Sequence, residues 1–153
     1  MTRKGGQRVI IQTRFANYRL RAKRSPIHGL GVFAAEAIPA GRRVIEFAGE
    51  RIRLREALRR IRQPGRPTRI LMARLSRDWC VDAVRGGSGA EYINHSCTPN
   101  LTIRKTPRHI YLFSRKAIRK GTELTVDYRL APATPRLPCR CGSSKCRGYL
   151  NRP

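Results

Sequence analysis

The sequence predicts a mostly β protein made of several small sheets, and three observations carry that prediction. Apolar residues come in short runs punctuated by 13 Gly and 10 Pro in 153 residues, the pattern of strands and turns. Only one segment has helical spacing. Apolar residues make up 40% of the chain, enough for a single folded core at this length.

The elements follow in chain order. The opening 1–6, with Arg3, Lys4 and two glycines, reads as the start of a loose basic arm over 1–17. Val44, Ile45, Phe47 and Ile52 form an apolar stretch broken by Gly49, which predicts a strand with a bend. Leu54, Leu58 and Ile61 fall on one face of a helix over 54–61, stopped by Pro64-Gly65. Ile110, Tyr111, Leu112 and Phe113 predict a strand buried on both faces. Leu124 and Val126 alternate with Thr125 and Asp127, a further strand. Pro132, Pro135 and Pro138 make 131–138 a stiff linker. The main domain is thus expected over 18–130, with the linker and a small cysteine unit over 131–153.

Lys and Arg number 34 against 9 Asp and Glu, a net charge of +25. That excludes a near-neutral surface and implies an acidic partner, most simply DNA or RNA bound without sequence preference. Arginine outnumbers lysine, 28 to 6, which is also the mark of an arginine-rich composition. Residues 1–24 carry eight cations and no acid, and 51–77 carry ten cations and one acid, Glu56. No apolar run is long enough to cross a bilayer, and there is no secretory h-region. The expectation is an intracellular monomer with no membrane partner.

Three of the five cysteines, Cys139, Cys141 and Cys146, lie within eight residues. That spacing points to metal, and zinc prefers four soft ligands. The fourth must come from elsewhere: Cys80, Cys97 or a histidine. A disulfide is disfavoured, because the two nearest cysteines are too close for an unstrained bridge. Arg140, Lys145 and Arg147 surround the cluster and favour thiolate.

The most specific segment is Tyr92-Ile-Asn94-His95-Ser-Cys97-Thr-Pro-Asn100. Before it come Ser25-Pro-Ile-His28-Gly29-Leu30-Gly31-Val32-Phe33, then Glu46-Phe47-Ala-Gly49-Glu50 and Cys80-Val-Asp82. After it come Lys120-Gly-Thr-Glu123-Leu-Thr-Val126-Asp127-Tyr128 and the cysteine unit. This series resembles the SET-domain protein-lysine methyltransferases that carry a post-SET zinc motif, over about residues 18–151. The resemblance implies a β-clip SET fold in which 94–97 threads beneath the loop before the last strand, a pseudoknot of a kind that is rare.

It also implies S-adenosylmethionine as cofactor, zinc as structural metal and a protein lysine as substrate, with histones or nucleoid proteins in view. Tyr128 matches the catalytic tyrosine. His28, Gly29, Leu30, Gly31, Asn94 and His95 match cofactor-binding positions, and Tyr149 or Leu150 would cover the adenine. Cys97 would be the fourth zinc ligand beside Cys139, Cys141 and Cys146, leaving Cys80 as a buried thiol on a core strand. Phe47, Trp79, Tyr92 and Val126 fall at positions of the lysine channel. There the chain departs from the family pattern: Phe47 replaces a usual tyrosine, Val126 a frequent aromatic, Trp79 a common tyrosine and Glu91 a common arginine. These departures bear on how many methyl groups the channel admits. The rival expectation is a catalytically weak SET-like module that binds nucleic acid or a partner protein. The nucleus, for a eukaryotic source, or the cytoplasm and nucleoid, for a bacterial one, is the expected location.

Overall fold

The computed structural model describes residues 9–65, 71–132 and 136–152. The basic opening 1–6, residues 66–70 of the cationic stretch and Pro135 of the linker lie outside the described residues. Among the described residues, ten short strands and one α-helix run in the order β1 (Leu20–Arg24), β2 (Leu30–Ala34), β3 (Arg43–Glu46), β4 (Glu50–Arg53), α1 (Leu54–Ile61), β5 (Met72–Arg74), β6 (Trp79–Asp82), β7 (Asn94–His95), β8 (Leu101–Lys105), β9 (Ile110–Ser114) and β10 (Thr125–Val126). They make four small sheets: β1-β2, β3-β9-β8, β4-β6-β5 and the pair β7-β10. The first three are antiparallel, and β7-β10 is parallel, with Asn94 opposite Thr125 and His95 opposite Val126. A mostly β architecture of small sheets is therefore what the chain adopts.

The stretch 44–52 is not one bent strand. It divides into β3 and β4, which belong to different sheets. Gly49 is the reason: a Cβ there would run into the backbone of Asp82 and Ala83, so only glycine lets the chain turn this closely against β6. Nor is β9 buried on both faces. Ile110, Leu112 and Ser114 are buried, whereas Tyr111 and Phe113 are half-exposed, the alternation of a sheet with one open face. Of 124–127 only Thr125–Val126 enters a ladder. Leu124, fully buried, bonds instead to Val32 O through its N–H.

Helix α1 spans the residues its spacing predicts, but its apolar stripe is not what holds it. Leu58 and Ile61 are exposed, and Ala57 is the buried contact. Arg60 anchors the helix instead. Its guanidinium bonds Glu56 within the helix, Glu50 on β4 and the buried Asp82 on β6. Three carboxylates around one guanidinium hold Arg60 firmly protonated, the bond to Glu50 most of all.

The principal core joins β2, β3, β8, β9 and β10 through Val32, Val44, Ile45, Leu101, Leu112, Leu124 and Val126. Every buried side-chain polar atom among the described residues is hydrogen-bonded, as a folded interior requires. Asn100 shows how. Its amide donates to Glu123 O and accepts from Thr125 N–H at 2.8 and 2.9 Å. It thereby clamps the segment after β7 to the segment before β10.

Candidate active site and thiol cluster

A cavity of about 390 Å³ lies where β7 and β10 meet the C-terminal unit. Ile27, His28, Glu91, Asn94, His95, Tyr128, Leu137, Pro138, Cys139, Arg140 and Leu150 line it. Six sequence-predicted site residues from distant parts of the chain, His28, Asn94, His95, Tyr128, Cys139 and Leu150, thus share one wall system. The parallel β7-β10 pair brings this about. It sets Asn94 and His95 beside the end of β10, where Tyr128 follows.

Asn94 is buried and serves as a tie. Its Nδ2 donates to His28 O, Leu30 O and Glu123 Oε1 at 3.1, 3.1 and 2.9 Å. The loop of His28 and Gly29 and the start of β2 at Leu30 are thus held against β7. Glu123 Oε1 also accepts from Ser25 Oγ at 2.7 Å. Gly31 makes room for this network, because a Cβ there would strike the Glu123 carboxylate.

His95 is nearly inaccessible, with 3% of its surface exposed. Tyr128 N–H donates to its Nδ1 at 3.1 Å. A backbone N–H can only donate, so Nδ1 accepts and the neutral ring carries its proton on Nε2. That proton points to Cys97 Sγ, 3.4 Å away. Burial lowers the His95 pKa to about 4 against a smaller upward pull from Asp127, so the ring is neutral at physiological pH. Tyr128 stands edge-on to the His95 ring at 5.3 Å. Its hydroxyl donates to Ile93 O at 2.9 Å.

Phe47, Tyr92 and Val126 pack with Tyr128 against the principal core. Trp79 shares a second cluster with Phe47, and Arg53 lies 4.1 Å over its ring. None of these four lines the cavity. Tyr149 does not line it either: it is exposed, with Arg136 above its ring.

The sulfurs of Cys97, Cys139, Cys141 and Cys146 lie within 4.8 Å of one another. Those of Cys97 and Cys139 are 3.8 Å apart and those of Cys97 and Cys146 4.0 Å. A tetrahedral ion with bonds of about 2.3 Å to sulfur sets its ligands about 3.8 Å apart, so this cluster can hold a metal. The thiols respond to one another. Burial pushes Cys97 and Cys139 up, whereas Cys141 is drawn down to about 6 against its own burial by N–H groups of Cys97 and Ser143. Cys80 stands apart, buried on β6, its thiol pushed up by burial.

Two features of the site were not assigned from the sequence. Arg147, read as one of several cations around the thiols, instead grips Asp127 with both terminal nitrogens at 2.9 and 2.8 Å and also reaches Leu150 O and Asn151 O. Glu91, noted only as a departure from the family pattern, lines the cavity. Its carboxylate accepts from Gly89 N–H at 2.8 Å, and burial pushes its pKa up.

A cofactor-sized pocket floored by one parallel strand pair and closed by a four-thiol unit defines the class: a small β protein with a candidate metal centre at the lip of its binding site. Residues 29–129 match the family model of the SET domain, and the chain belongs to the SET-domain family. It is 40% identical over 133 residues to Histone-lysine N-methyltransferase trithorax of Drosophila virilis, covering 84% of this chain and 4% of that protein. It is 41% identical over 149 residues to Histone-lysine N-methyltransferase, H3 lysine-4 specific, of Mycosarcoma maydis, covering 91% of this chain and 10% of that one. The chain thus spans a small part of the length of these relatives. Among solved structures it resembles the crystal structure of KRYPTONITE in complex with mCHG DNA and SAH. The TM-score is 0.73 at 29% identity, over 88% of this chain and 29% of the other.

Proposed function

We propose that this chain transfers a methyl group from S-adenosylmethionine to the side-chain amine of a lysine in a protein, histones and nucleoid proteins being the substrate class. The observation that carries this reading is Tyr128, whose ring lines the cavity while its backbone is tied to His95 and its hydroxyl to Ile93 O. The lining supports the cofactor: Ile27, Leu137, Pro138 and Leu150 offer apolar surface to a purine, and Asn94 and His95 a polar floor. When bound, S-adenosylmethionine supplies an activated methyl on a positively charged sulfonium.

The chain's own residues do the rest. Asn94 and His95 would hold the cofactor, with the loop from His28 to Gly31 beside it. Leu150, with Tyr149 next to it, would cover the adenine. Phe47, Trp79, Tyr92 and Val126 would wall the lysine channel. An apolar channel disfavours the ammonium form, so the amine arrives neutral and no strong base is required. The Tyr128 hydroxyl orients that amine, helped by weak C–H···O contacts to backbone carbonyls, and alignment supplies much of the acceleration. Four thiols at tetrahedral spacing support zinc, held by Cys97, Cys139, Cys141 and Cys146 as a structural cross-link of the post-SET unit 131–153 to the SET domain.

The chain acts inside the cell, as a monomer. Its net charge of +25 supports contact with DNA or RNA beside the protein substrate. The test is radiolabelled methyl transfer onto histones, nucleoid proteins and cell lysate, with cofactor binding by calorimetry in parallel. Transfer that Tyr128→Phe lowers by about 100-fold supports the enzyme. Normal cofactor binding with no transfer to any lysine would hand the chain to the rival reading, a SET-like binding module.

A further inference from the structure

The open face of the β3-β9-β8 sheet has the chemistry of a stacking platform. Tyr111 and Phe113 alternate with the buried residues of β9, so both rings stand on the outer side. Neither belongs to any of the core clusters. The flanking strands put cations over them. The Arg43 guanidinium lies 5.0 Å from the Tyr111 ring and that of Arg104 lies 4.4 Å from Phe113. His109 stacks on Tyr111 at 5.5 Å, nearly parallel at 13°. Glu46 is the only acid in the three strands, and it is engaged by His109 Nδ1 at 2.7 Å. The hairpin between β8 and β9 adds Arg108, which is exposed; Lys105, opposite the buried Ile110, is turned to the other side, where its Nζ donates to Arg74 O.

We propose that this sheet face binds single-stranded nucleic acid, with bases stacked on Tyr111 and Phe113 and phosphates held by Arg43 and Arg104. The inference rests on the reading that the basic surface meets nucleic acid, and adds where and in which form. It does not depend on methyl transfer. Two residues along a strand separate the rings by about 7 Å, twice the ~3.4 Å step of a nucleic-acid strand. One base can therefore lie on each ring without the two bases lying on each other. A duplex keeps its bases stacked internally and offers these rings nothing but phosphate charge, so the aromatic contribution selects single strands. The exposed Arg104 sits where it can swing from ring to phosphate, and Arg43 where it can sandwich a base against the ring or meet the phosphate beside it. Asn17 Oδ1 accepts from Arg43 Nε at 3.0 Å and keeps that side chain over the face.

The experiment is fluorescence anisotropy of the full chain with labelled oligothymidylate, oligouridylate and a duplex of the same length, over a salt series. Single strands should bind more tightly than the duplex. Tyr111→Leu and Phe113→Leu, which keep apolar volume, should each weaken single-strand binding about ten-fold or more and leave duplex binding unchanged. Arg104→Gln, at an exposed position, should weaken both ligands and lower the salt slope by about one. Unchanged thermal melts certify the fold of each variant. Equal affinity for single strand and duplex, unmoved by the leucine variants, overturns the platform and leaves a purely electrostatic surface. No binding of either ligand at low salt overturns the nucleic-acid reading itself. Neither result touches the methyl-transfer assay.

Discussion

Arg147 should decide whether the C-terminal unit stays closed over the cavity. Its guanidinium makes two bonds to Asp127 and one each to Leu150 O and Asn151 O. The Arg147 and Asp127 side chains are 23% and 24% exposed, too buried to count as a surface pair. Hydrogen bonds to charged groups are worth about 1.5–3 kcal/mol. Arg147→Lys keeps the charge and loses the planar fork. A loss of about 2 kcal/mol follows, roughly a thirty-fold rise in the open population of the unit. Arg147→Ala strands a partly buried carboxylate and should cost more, about 3 kcal/mol. The assay is amide exchange: protection should fall in 139–151 and persist in β8 and β9. Cofactor affinity should fall with it, because Leu137, Pro138, Cys139 and Leu150 line the cavity. Acid should do the same. Burial by itself would raise the Asp127 carboxyl, but the Arg147 bonds outweigh it and hold the folded value below the ordinary one. This stability is therefore present above the ordinary carboxylate pKa and lost as pH falls through the lowered one. Asp127→Asn should mimic that loss at neutral pH. If both Arg147 variants leave exchange in 139–151 as it was, the clasp contributes nothing and the reasoning is wrong.

Tyr128→Phe should lower turnover by about 100-fold while cofactor affinity stays close to wild type, measured by initial rates and calorimetry. Chelation should release one metal per chain and loosen the C-terminal unit first, read by metal analysis and amide exchange; Cys80→Ser should leave the stoichiometry unchanged, and Cys97→Ser should not. Glu91 titrates above an unfolded carboxyl because of its burial, so folding stability should fall as pH rises through that window. Glu91→Gln, which keeps an acceptor for Gly89 N–H, should flatten the fall and melt higher than wild type above it.

What was legible in the sequence was whatever is local or carried by a specific spacing. The helix over 54–61 announced itself by period, and Cys139, Cys141 and Cys146 by proximity. The partners that complete these features were not legible, because they arrive through pairing across long separations. Nothing in the apolar pattern distinguishes Leu58 and Ile61 on a buried face from the same residues in solvent. The ion pairs of Arg60 with Glu50 and Asp82 settle the matter, and they depend on how β4 and β6 pair. Gly49 could be seen as a break, but the sheet change it permits depends on the carbonyl of Asp82 lying in its way. Arg147 looked like one more cation near the thiols until Asp127 was brought opposite it.

The same long-range pairing links the two halves of the site. Tyr128 N–H fixes which nitrogen of His95 can donate, and that nitrogen faces Cys97. Cys97 is the one cluster sulfur that comes from the core side of the chain, 42 residues before Cys139. A single buried, neutral imidazole therefore joins the residue assigned to orient the amine with the sulfur assigned to anchor the post-SET unit. If it is a joint, His95→Gln should do two separable things. Losing the aromatic ring beside Tyr128 should lower turnover, and exchanging a donor fixed on a rigid ring for a freely rotating amide should weaken metal retention against a competing chelator. Cys97→Ser should weaken metal retention more strongly. Its effect on turnover should vanish when cofactor is saturating and the unit is closed. A His95→Gln protein that holds metal like wild type would show that the Nε2–Cys97 contact is only proximity. Independent behaviour of the two halves would follow.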